Sequence, residues 1–496
     1  MLNITTFLDA NAARLDKPVF YCPERDTSYT SQEILSISSE IARAILAAGV
    51  EKGDRVMLYM NSTPEYLFSY FAVWRIGAIA VPTNRVYTPS ELAYLAENSG
   101  AKLIITDAGG TAATKTLEIP TYVPADIESF RTAPVLLPAS TEFSDVCQLQ
   151  YTSGTTGKPK GAMLTHGNWF TAIHNECDVL NYRQDDVYLG IYPMGHVGLS
   201  WGIAALRAGA LYIMLERYNP ETYLNLCKRF SVTVLAGMPP VIHSLTEAPA
   251  GTEDALSQVR EIISGGGPLH HEIWKKFHLR YAIPIVNAYG LSETVVIGTG
   301  TAIRPEDYAS ADRFQSVGHP VCFSEVKIVD EHNPAIEMPR EQAGEIALRG
   351  PAVAQGYWKM PEETKAAFLA DGWFLTGDVG YLDKDGRLCL TDRKKDMVVM
   401  SGWKIYPTEV EEALIKFEGV KELAVFGIPH EHRGEIPVVA VVWKDGYSEQ
   451  DTDKLLVFAA EHLAAYKVPR KVFTTDELPR VNGWKLLRRE LREKYA

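Results

Sequence analysis

Cysteine is scarce in this sequence, and no two cysteines stand close enough to form a metal-binding pair. The six cysteines are scattered over 496 residues, and none is separated from the next by only two positions. Zinc sites and disulfide frameworks need clustered cysteines, so the sequence indicates neither. Unpaired thiols are typical of reducing compartments, and we expect a cytoplasmic location.

Long hydrophobic runs are also missing. The most apolar stretch, SWGIAALRAGALYIMLER, is interrupted by Arg207. No segment reaches the ~20 uncharged apolar residues that a membrane-spanning helix needs. The first residues, MLNITTFLDANAARL, lack the basic start and apolar run of a signal peptide and predict a short amphipathic helix. We therefore expect neither a membrane span nor a signal peptide.

Positive charge is outnumbered by negative charge. The chain has 49 lysines and arginines against 62 aspartates and glutamates, a net charge of −13. Binding to nucleic acid depends on neutralising phosphates, so we expect no nucleic-acid partner. An anionic small molecule must then be held by local lysines and arginines rather than by the overall field.

The pattern of apolar segments predicts an α/β fold with several folding units. Up to about residue 315, helical periodicity alternates with apolar runs such as RVMLYM and KLIITD, which is typical of parallel sheets with helices on both faces. Beyond that point, short strands separated by Gly, Asp and Pro predict a small antiparallel barrel or sheet. A mixed strand and helix segment follows from about residue 396.

The loop YTSGTTGKPKG, residues 151–161, concentrates groups that bind phosphate. Glycine lets backbone N–H groups approach an anion, hydroxyls donate to phosphate oxygens, and lysine adds positive charge. VCQLQ before the loop predicts a strand, and AMLTHGNWFTAI after it predicts a helix. Its glycine and lysine spacing excludes a Walker loop. The alternative is an exposed Ser/Thr/Gly linker. The phosphate-binding candidates are Thr152, Ser153, Gly154, Thr155, Thr156, Gly157, Lys158 and Lys160.

A second group of candidates lies in NAYGLSET, residues 287–294. Glu293 offers a carboxylate at the end of a predicted strand, which suits Mg²⁺ because this ion prefers oxygen ligands. Thr294 offers a hydroxyl to a phosphate, and Tyr289 offers a flat face to a base. The alternative is a turn with one solvated acid.

Glycines and charged residues mark further stretches. SGGGPL, residues 264–269, places glycines after a strand, where backbone can approach a ligand closely. Asp378 in GWFLTGDVG can accept both hydroxyls of a ribose, and Arg393 in LTDRKKD can reach the same ribose or a phosphate. The alternatives are a glycine turn, a turn aspartate and a surface ion pair.

Together these stretches, with SGWKIYPTEVEE (401–412) and LPRVNGWKLLRREL (478–491), resemble the ordered motifs of the adenylate-forming enzymes. That superfamily comprises acyl- and aryl-CoA synthetases, luciferases and peptide-synthetase adenylation domains. The resemblance implies a large N-terminal domain, residues 1–394, of two parallel-sheet α/β subdomains plus a small β-barrel. It also implies a small, mobile α+β C-terminal domain, residues 395–496.

The resemblance implies ATP, Mg²⁺ and coenzyme A as the reacting partners of a carboxylic acid. The acid attacks the α-phosphate of ATP, giving an acyl-adenylate and pyrophosphate, and the CoA thiol then displaces AMP. Glu293 would hold magnesium. The residues implied in catalysis are Thr152, Lys160, His196, Glu293, Gly402 and Lys485. Those implied in cofactor binding are Thr152 to Lys158, Gly265, Gly266, Gly267, Pro268, Asn287, Ala288, Tyr289, Gly290, Thr294, Asp378, Arg393, Lys395 and Lys404.

The C-terminal candidates imply a division of labour. Lys485 matches the lysine that serves adenylate formation, and Gly402 with Lys404 matches the loop that serves thioester formation. Lys395 matches the hinge between the two arrangements. Trp403 and Trp484 stand where smaller residues are commoner in the family.

The acid can be bounded by what the sequence lacks. Gly290 stands where acetate-specific relatives carry a tryptophan that closes the pocket, so we expect an acid larger than propionate. The segment YPMGHVGLSWG, residues 192–202, lacks the aspartate that pairs with an amino group in peptide-synthetase domains. Aromatic, alicyclic and medium-chain acids all fit. The expected pocket is lined by Tyr192, His196, Gly198, Trp201, Met238 and Gly265 to Gly267.

Two other functions stay open at this stage. One is a stand-alone adenylating enzyme that passes its acyl group to a carrier protein. The other is a non-catalytic ATP-binding regulator, against which the joint presence of Lys485, Glu293 and Gly402 argues.

Overall fold

The structure is a computed structural model that describes residues 3–152, 159–267, 269–304, 308, 316–481 and 485–496. At 481 and 485 it describes the backbone only. The helices are Thr6–Ala12 (α1), Ser31–Ala47 (α2), Pro64–Arg75 (α3), Pro89–Ser99 (α4), Thr111–Thr114 (α5), His166–Val179 (α6), Ser200–Ala208 (α7), Pro220–Phe230 (α8), Pro239–Thr246 (α9), Thr252–Ala255 (α10), His271–Tyr281 (α11), Pro361–Ala367 (α12), Pro407–Leu414 (α13), Thr452–His462 (α14) and Arg488–Tyr495 (α15).

The strands alternate with these helices over the first three hundred residues and dominate after them. They are Pro18–Cys22 (β1), Thr27–Thr30 (β2), Arg55–Tyr59 (β3), Ile79–Thr83 (β4), Leu103–Thr106 (β5), Thr121–Tyr122 (β6), Val146–Thr152 (β7), Lys160–Thr165 (β8), Val187–Gly190 (β9), Leu211–Met214 (β10), Val234–Ala236 (β11), Glu261–Ser264 (β12), Ile285–Leu291 (β13), Val296–Ala302 (β14), His319–Pro320 (β15), Glu325–Val329 (β16), Gly344–Arg349 (β17), Phe374–Leu382 (β18), Leu388–Arg393 (β19), Val398–Met400 (β20), Trp403–Ile405 (β21), Val420–His430 (β22), Gly434–Trp443 (β23), Val472–Thr474 (β24), Arg480–Val481 (β25) and Lys485–Leu486 (β26).

Two sheets built mainly from parallel strands form the first part of the chain, as the alternating pattern predicts. A nine-stranded sheet has the order β15-β14-β13-β12-β11-β9-β10-β1-β2, and a six-stranded sheet has the order β6-β5-β3-β4-β7-β8. The central strands are almost fully apolar and buried, because helices cover both faces of a parallel sheet. Antiparallel strands occur only at the edges of these two sheets, among the described residues.

The segment after the phosphate-loop candidate departs from the prediction. Residues 160–165 form β8, antiparallel to β7, and the helix begins only at His166. The predicted helix start at AMLT is therefore wrong. Long-range pairing decides the conformation here, since β8 is held between β7 and residues 355–358. The true start carries a readable signal: Thr165 caps the helix by accepting from the backbone N–H of Asn168.

Apolar residues at helical spacing predict a helix within residues 30–49, and Gly77 predicts a turn from a buried helix into a strand; the structure confirms both. Helix α2 begins with a capping box between Thr30 and Glu33. Helix α3 has proline at its first position, which needs no N–H donor there. The chain then turns at Gly77, whose φ of +72° favours glycine, and continues into β4.

The strands after residue 315 form one antiparallel sheet in the order β16-β17-β18-β19. The sequence allowed a barrel or a sheet, and the pairing of the described residues gives the open sheet. This sheet carries Asp378 on β18 and Arg393 on β19.

The last hundred residues have a hydrophobic core of their own. Its buried members all lie between Val398 and Leu491 and come from β20 to β23, α13, α14 and α15, together with Leu478 from the loop before β25. The position of Thr408 before a glutamate-rich run predicts a helix N-cap there, and this prediction is wrong, because α13 begins at Pro407 with Tyr406 before it. Instead, the Thr408 N–H donates to Asp392 Oδ2 at 2.8 Å. No helix within the described ranges is long and apolar enough to cross a membrane.

Candidate active site

Tyr289, Asp378 and Arg393, which are distant in sequence, meet in one hydrogen-bonded cluster. Asp378 and Arg393 are direct partners across β18 and β19, with Arg393 Nε 3.2 Å from Asp378 Oδ1. The Tyr289 hydroxyl donates to Asp378 Oδ2 at 2.7 Å. Each carboxylate oxygen has a second lone pair, so Asp378 can still accept from ligand hydroxyls. The structure thus brings together the predicted base-stacking tyrosine and the predicted ribose pair.

Glu293 lies close behind this cluster and is held by a tyrosine that the sequence analysis did not select. Glu293 is only 7% exposed. Its Oε1 accepts from the Tyr357 hydroxyl at 2.9 Å. Burial raises the pKa of the Glu293 carboxyl, while the Tyr357 hydroxyl and the charge of Arg393 oppose that shift. Burial, together with the neighbouring Glu293, also raises the pKa of Tyr357, so its phenol stays protonated and donates.

Tyr357 also joins this carboxylate to the phosphate-loop candidate. Lys160 Nζ lies 5.1 Å from the centroid of the Tyr357 ring, a cation–π contact. The backbone of residues 355–358 pairs with β8, where the Met163 N–H donates to Gly356 and the Trp358 N–H donates to Gly161. No motif marks Tyr357, and a GYW string would have been the only available signal.

The predicted magnesium site fits a single protein carboxylate. Among the described residues, no three His, Cys, Asp or Glu side chains are grouped so as to hold a metal by themselves. Mg²⁺ often binds through one or two carboxylates plus waters and substrate phosphates. The Tyr357 hydroxyl takes one acceptor position on Oε1, and a carboxylate offers about four such positions, so Glu293 keeps oxygen lone pairs for such an ion. The donor chemistry of Glu293 is therefore compatible with Mg²⁺.

Other predicted residues of this stretch have structural duties. Thr294 is fully buried and its hydroxyl donates to the Val296 carbonyl at 2.8 Å, closing the turn. Asn287 Nδ2 donates to the Ser316 carbonyl, and Ala288 is 8% exposed in β13. These contacts shape the strand end that presents Tyr289 and Glu293.

Gly290 has a packing explanation that the sequence analysis did not anticipate. A Cβ at this position would lie 1.7 Å from the Val296 carbonyl oxygen. Glycine is therefore required by the close approach of β14, whatever the size of the acyl pocket. The argument for a large acid from Gly290 loses its basis, and the size of the acid must be decided by other residues.

The glycine stretch after β12 is placed as expected. Gly265 faces the Ala288 carbonyl, Gly266 has a φ of +81° that favours glycine, and a Cβ on Gly267 would meet no atom within 4 Å. Gly267 is the open backbone position here. Pro268 lies outside the described residues.

The phosphate-loop candidate is described only at its two ends. Thr152 and Lys160 are register partners across β7 and β8. The loop therefore joins two antiparallel strands rather than a strand and a helix. The candidates Ser153, Gly154, Thr155, Thr156, Gly157 and Lys158 lie outside the described residues.

The C-terminal candidates occupy different surroundings. Lys485 begins β26, and its side chain lies outside the description. Gly402, with φ +85°, follows Ser401 in an exposed two-residue turn between β20 and β21. Lys404 pairs with Glu331 at 2.8 Å, and the Lys395 carbonyl accepts from Arg492. The Gly402 turn is thus exposed, and a Cβ on Gly402 would meet no atom within 4 Å.

Four of the acyl-pocket candidates, Tyr192, His196, Gly198 and Trp201, lie in α7 and the loop before it, and Met238 lies directly before α9. Tyr192, His196 and Gly198 are partly exposed. Trp201 and Met238 are buried, at 2% and 7% exposure. A Cβ at Gly198 would lie 3.1 Å from the Tyr192 ring, so these two residues are in direct contact.

The chain matches two family models that cover these sites. The model described as AMP-binding enzyme matches residues 7–358, and the model described as AMP-binding enzyme C-terminal domain matches residues 409–483. The chain therefore belongs to the AMP-binding enzymes, the adenylate-forming superfamily, and within it to the AMP-forming acyl-CoA synthetases, or acid–thiol ligases.

Relatives with this chemistry match over almost the whole chain. The protein is 31% identical over 500 residues to 4-coumarate–CoA ligase 3 of Oryza sativa subsp. japonica, with 97% of this chain and 90% of that protein covered. It is 34% identical over 513 residues to the long-chain-fatty-acid–CoA ligase of Bacillus subtilis, with 94% and 90% covered. The acids in these names differ widely, so the relatives establish the reaction class and not the acid.

Solved structures of MatB from Rhodopseudomonas palustris resemble this chain in two states. The ATP-bound structure has a TM-score of 0.90 at 29% identity, with 99% of each chain covered. The apo structure has a TM-score of 0.79 at 29% identity, with 100% of this chain and 99% of that chain covered. By TM-score, the structure of this chain is more similar to that of ATP-bound MatB than to that of apo MatB.

Proposed function

We propose that this protein activates a carboxylic acid larger than propionate with MgATP and transfers the acyl group to coenzyme A. The observation that carries the proposal is the Tyr289–Asp378–Arg393 cluster, because it assembles a tyrosine ring and a ribose-binding carboxylate at one place. Glu293 and Lys160, joined through Tyr357, stand beside it as the groups that face phosphate.

The chain's own residues account for the first half-reaction. Asp378 accepts the ribose hydroxyls and fixes the nucleotide. Lys160 and the loop after Thr152 donate to the phosphates. Lys485 is brought between the acid and the α-phosphate, where its charge offsets the repulsion of two anions. Magnesium held by Glu293 supplies further charge neutralisation when bound.

The second half-reaction requires a different arrangement of the C-terminal segment. We propose that residues 395–496 rotate about Lys395, so that the turn at Gly402 replaces Lys485 at the site. The closer match to ATP-bound MatB than to apo MatB supports assigning the present arrangement to adenylate formation. The exposed Gly402 turn agrees with that assignment.

The acid is the finer part of the proposal. The lining from Tyr192, His196 and Met238 is aromatic and apolar, which favours aromatic, alicyclic or medium-chain acids. The 4-coumarate and long-chain relatives bracket this range. The unpaired state of all six cysteines supports a cytoplasmic enzyme.

Product analysis tests the reaction. The enzyme is incubated with ATP, Mg²⁺, CoA and benzoate, cyclohexanecarboxylate, hexanoate or palmitate, and the products are separated by mass. We expect AMP and acyl-CoA in equal amounts, with palmitate the poorest of the four acids. ADP as product would contradict the reaction class, and best turnover on palmitate would contradict the proposed pocket.

Transfer to a carrier protein is the second candidate within the family. It is tested by replacing CoA with a phosphopantetheinylated carrier protein in the same reaction. Thioester formed on the carrier but not on free CoA would favour this alternative.

A further inference from the structure

Tyr357 is placed where it touches two parts of the proposed active site at once. Its hydroxyl donates to Glu293 Oε1 at 2.9 Å, although the two residues are 64 positions apart. Its ring lies under the ammonium group of Lys160. The residue itself is only 7% exposed, so neither contact is a chance surface encounter.

The backbone around Tyr357 is firmly fixed. Ala162 and Tyr357 are bridge partners, which continues the six-stranded sheet by one further segment. The Tyr357 N–H donates to the Thr364 hydroxyl at 2.9 Å, and that hydroxyl donates to the Met360 carbonyl at 2.7 Å. Phe368 packs edge-on against the Tyr357 ring. The tyrosine therefore has little freedom to leave Glu293.

A hydrogen bond to one oxygen limits the rotation of the planar carboxyl group. It therefore also limits the positions that the other oxygen can take. Donors behind a metal ligand orient that ligand and alter metal affinity by roughly ten- to a hundredfold when removed. Within the described residues, Tyr357 is the only side chain that donates to the Glu293 carboxylate. Without this donor, Glu293 could turn away from the phosphates.

We propose that Tyr357 is a positioning residue that orients Glu293 toward a nucleotide-bound divalent cation and couples it to Lys160. The proposal rests on the proposed function, since it takes Glu293 as the magnesium ligand. It assigns Tyr357 no contact with substrate. Its effect should therefore appear in the binding of the metal–nucleotide complex and not in the binding of the nucleotide alone.

The Tyr357→Phe variant removes the donor and keeps the ring. Binding is measured with α,β-methylene ATP, with Mn²⁺ as a paramagnetic probe whose free fraction is read by electron paramagnetic resonance. We expect the affinity for the Mn²⁺–nucleotide complex to fall roughly tenfold to a hundredfold. The affinity for the metal-free nucleotide should change less than twofold.

Tyr66→Phe is the matched control. Tyr66, like Tyr357, is a buried tyrosine with a hydrogen-bonded hydroxyl. Its hydroxyl donates to the backbone carbonyls of Leu58 and Thr83, away from Glu293. It should lose similar thermal stability without a change in Mn²⁺ binding. Tyr357→Leu, which also removes the ring beneath Lys160, should weaken the binding of the metal-free nucleotide as well.

The outcomes separate this inference from the proposed function. The positioning role of Tyr357 would be overturned if Tyr357→Phe lost affinity equally for the metal-free and the metal-loaded nucleotide. Unchanged Mn²⁺ binding in this variant would overturn it as well. A wild type that binds both nucleotide forms alike would overturn it too, since Glu293 would then hold no metal. The proposed function fails independently if the wild type forms no acyl-CoA, because the Mn²⁺ titration needs no acid and no turnover.

Discussion

Asp378 and Arg393 face each other in register across two antiparallel strands, with Arg393 Nε 3.2 Å from Asp378 Oδ1. The guanidinium takes one acceptor position on Oδ1 and the Tyr289 hydroxyl takes one on Oδ2, so each carboxylate oxygen keeps a second lone pair. Arg393 therefore orients the Asp378 carboxylate toward the site, and the carboxylate can still accept hydrogen bonds from a ligand.

The first prediction concerns this carboxylate. Asp378→Asn should weaken ATP binding roughly tenfold or more, because hydrogen bonds to a charged group contribute ~1.5–3 kcal/mol each. Equilibrium binding of ATP by calorimetry measures the effect. Glu325→Gln is the control, since Glu325 and Arg349 form an equivalent cross-strand pair at the exposed edge of the same sheet. ATP affinity that is lost equally in both variants would point to damage to the sheet.

The second prediction divides the two half-reactions at Lys485. Lys485→Ala should abolish adenylate formation yet spare CoA attack on supplied acyl-adenylate, because its charge is needed only where two anions meet. Rapid-quench assays of each half-reaction check this. Lys494→Ala removes an exposed lysine from the same C-terminal segment and should affect neither. Equal loss of both half-reactions in Lys485→Ala would refute the division of labour.

The third prediction concerns Gly402, which we expect to serve thioester formation and not adenylate formation. A Cβ at this turn, whose φ is +85°, costs about 1 kcal/mol in backbone strain and narrows any passage for the thiol arm. Gly402→Ala should slow thioester formation about tenfold and leave adenylation within twofold. Gly446→Ala makes the same change at a φ of +88° in another turn, where a Cβ also meets no neighbour. If the two variants behave alike, the Gly402 turn has no special part in thioester formation.

The fourth prediction concerns stability at low pH. Burial lowers the pKa of His166 to about 4, and its Nδ1 accepts from the Ile4 N–H. The unfolded chain binds this proton near pH 6.5, so the free energy of unfolding falls as pH drops from about 6.5 to 4. The full contribution is about 3 kcal/mol.

Urea unfolding at pH 7.5 and pH 4.5 measures this contribution. His166→Gln should lose less stability between the two pH values than the wild type does, by about 2–3 kcal/mol. His432→Gln, at a side chain 79% exposed, should keep the wild-type pH dependence. A wild-type pH dependence in His166→Gln would show that other groups dominate the acid response.

Local patterns were enough to predict most of the α/β elements. The apolar spacing and the capping box of α2 predict a helix, and Gly77 predicts the turn from α3 into β4. Strand β8 could not be predicted in this way, because its conformation depends on residues 355–358, which lie far along the chain. The Thr165 cap was the one local sign that the helix starts later.

The residues of the candidate site show the same difference between local signals and long-range contacts. Asp378, Arg393, Tyr289 and Glu293 were predicted because each sits in a recognisable string. Tyr357 was missed because its role arises from a contact across 64 positions. Gly290 was interpreted as pocket space, whereas the close approach of the Val296 carbonyl requires glycine there, and this neighbour arises only when β13 and β14 pair.

The most direct test of the central claim is acid-dependent exchange of labelled pyrophosphate into ATP, measured without CoA. The account predicts exchange that requires Mg²⁺ and a hydrophobic carboxylic acid and disappears in Lys485→Ala. Exchange that is absent with every acid, or that persists without any acid, would contradict the formation of an acyl-adenylate at this site.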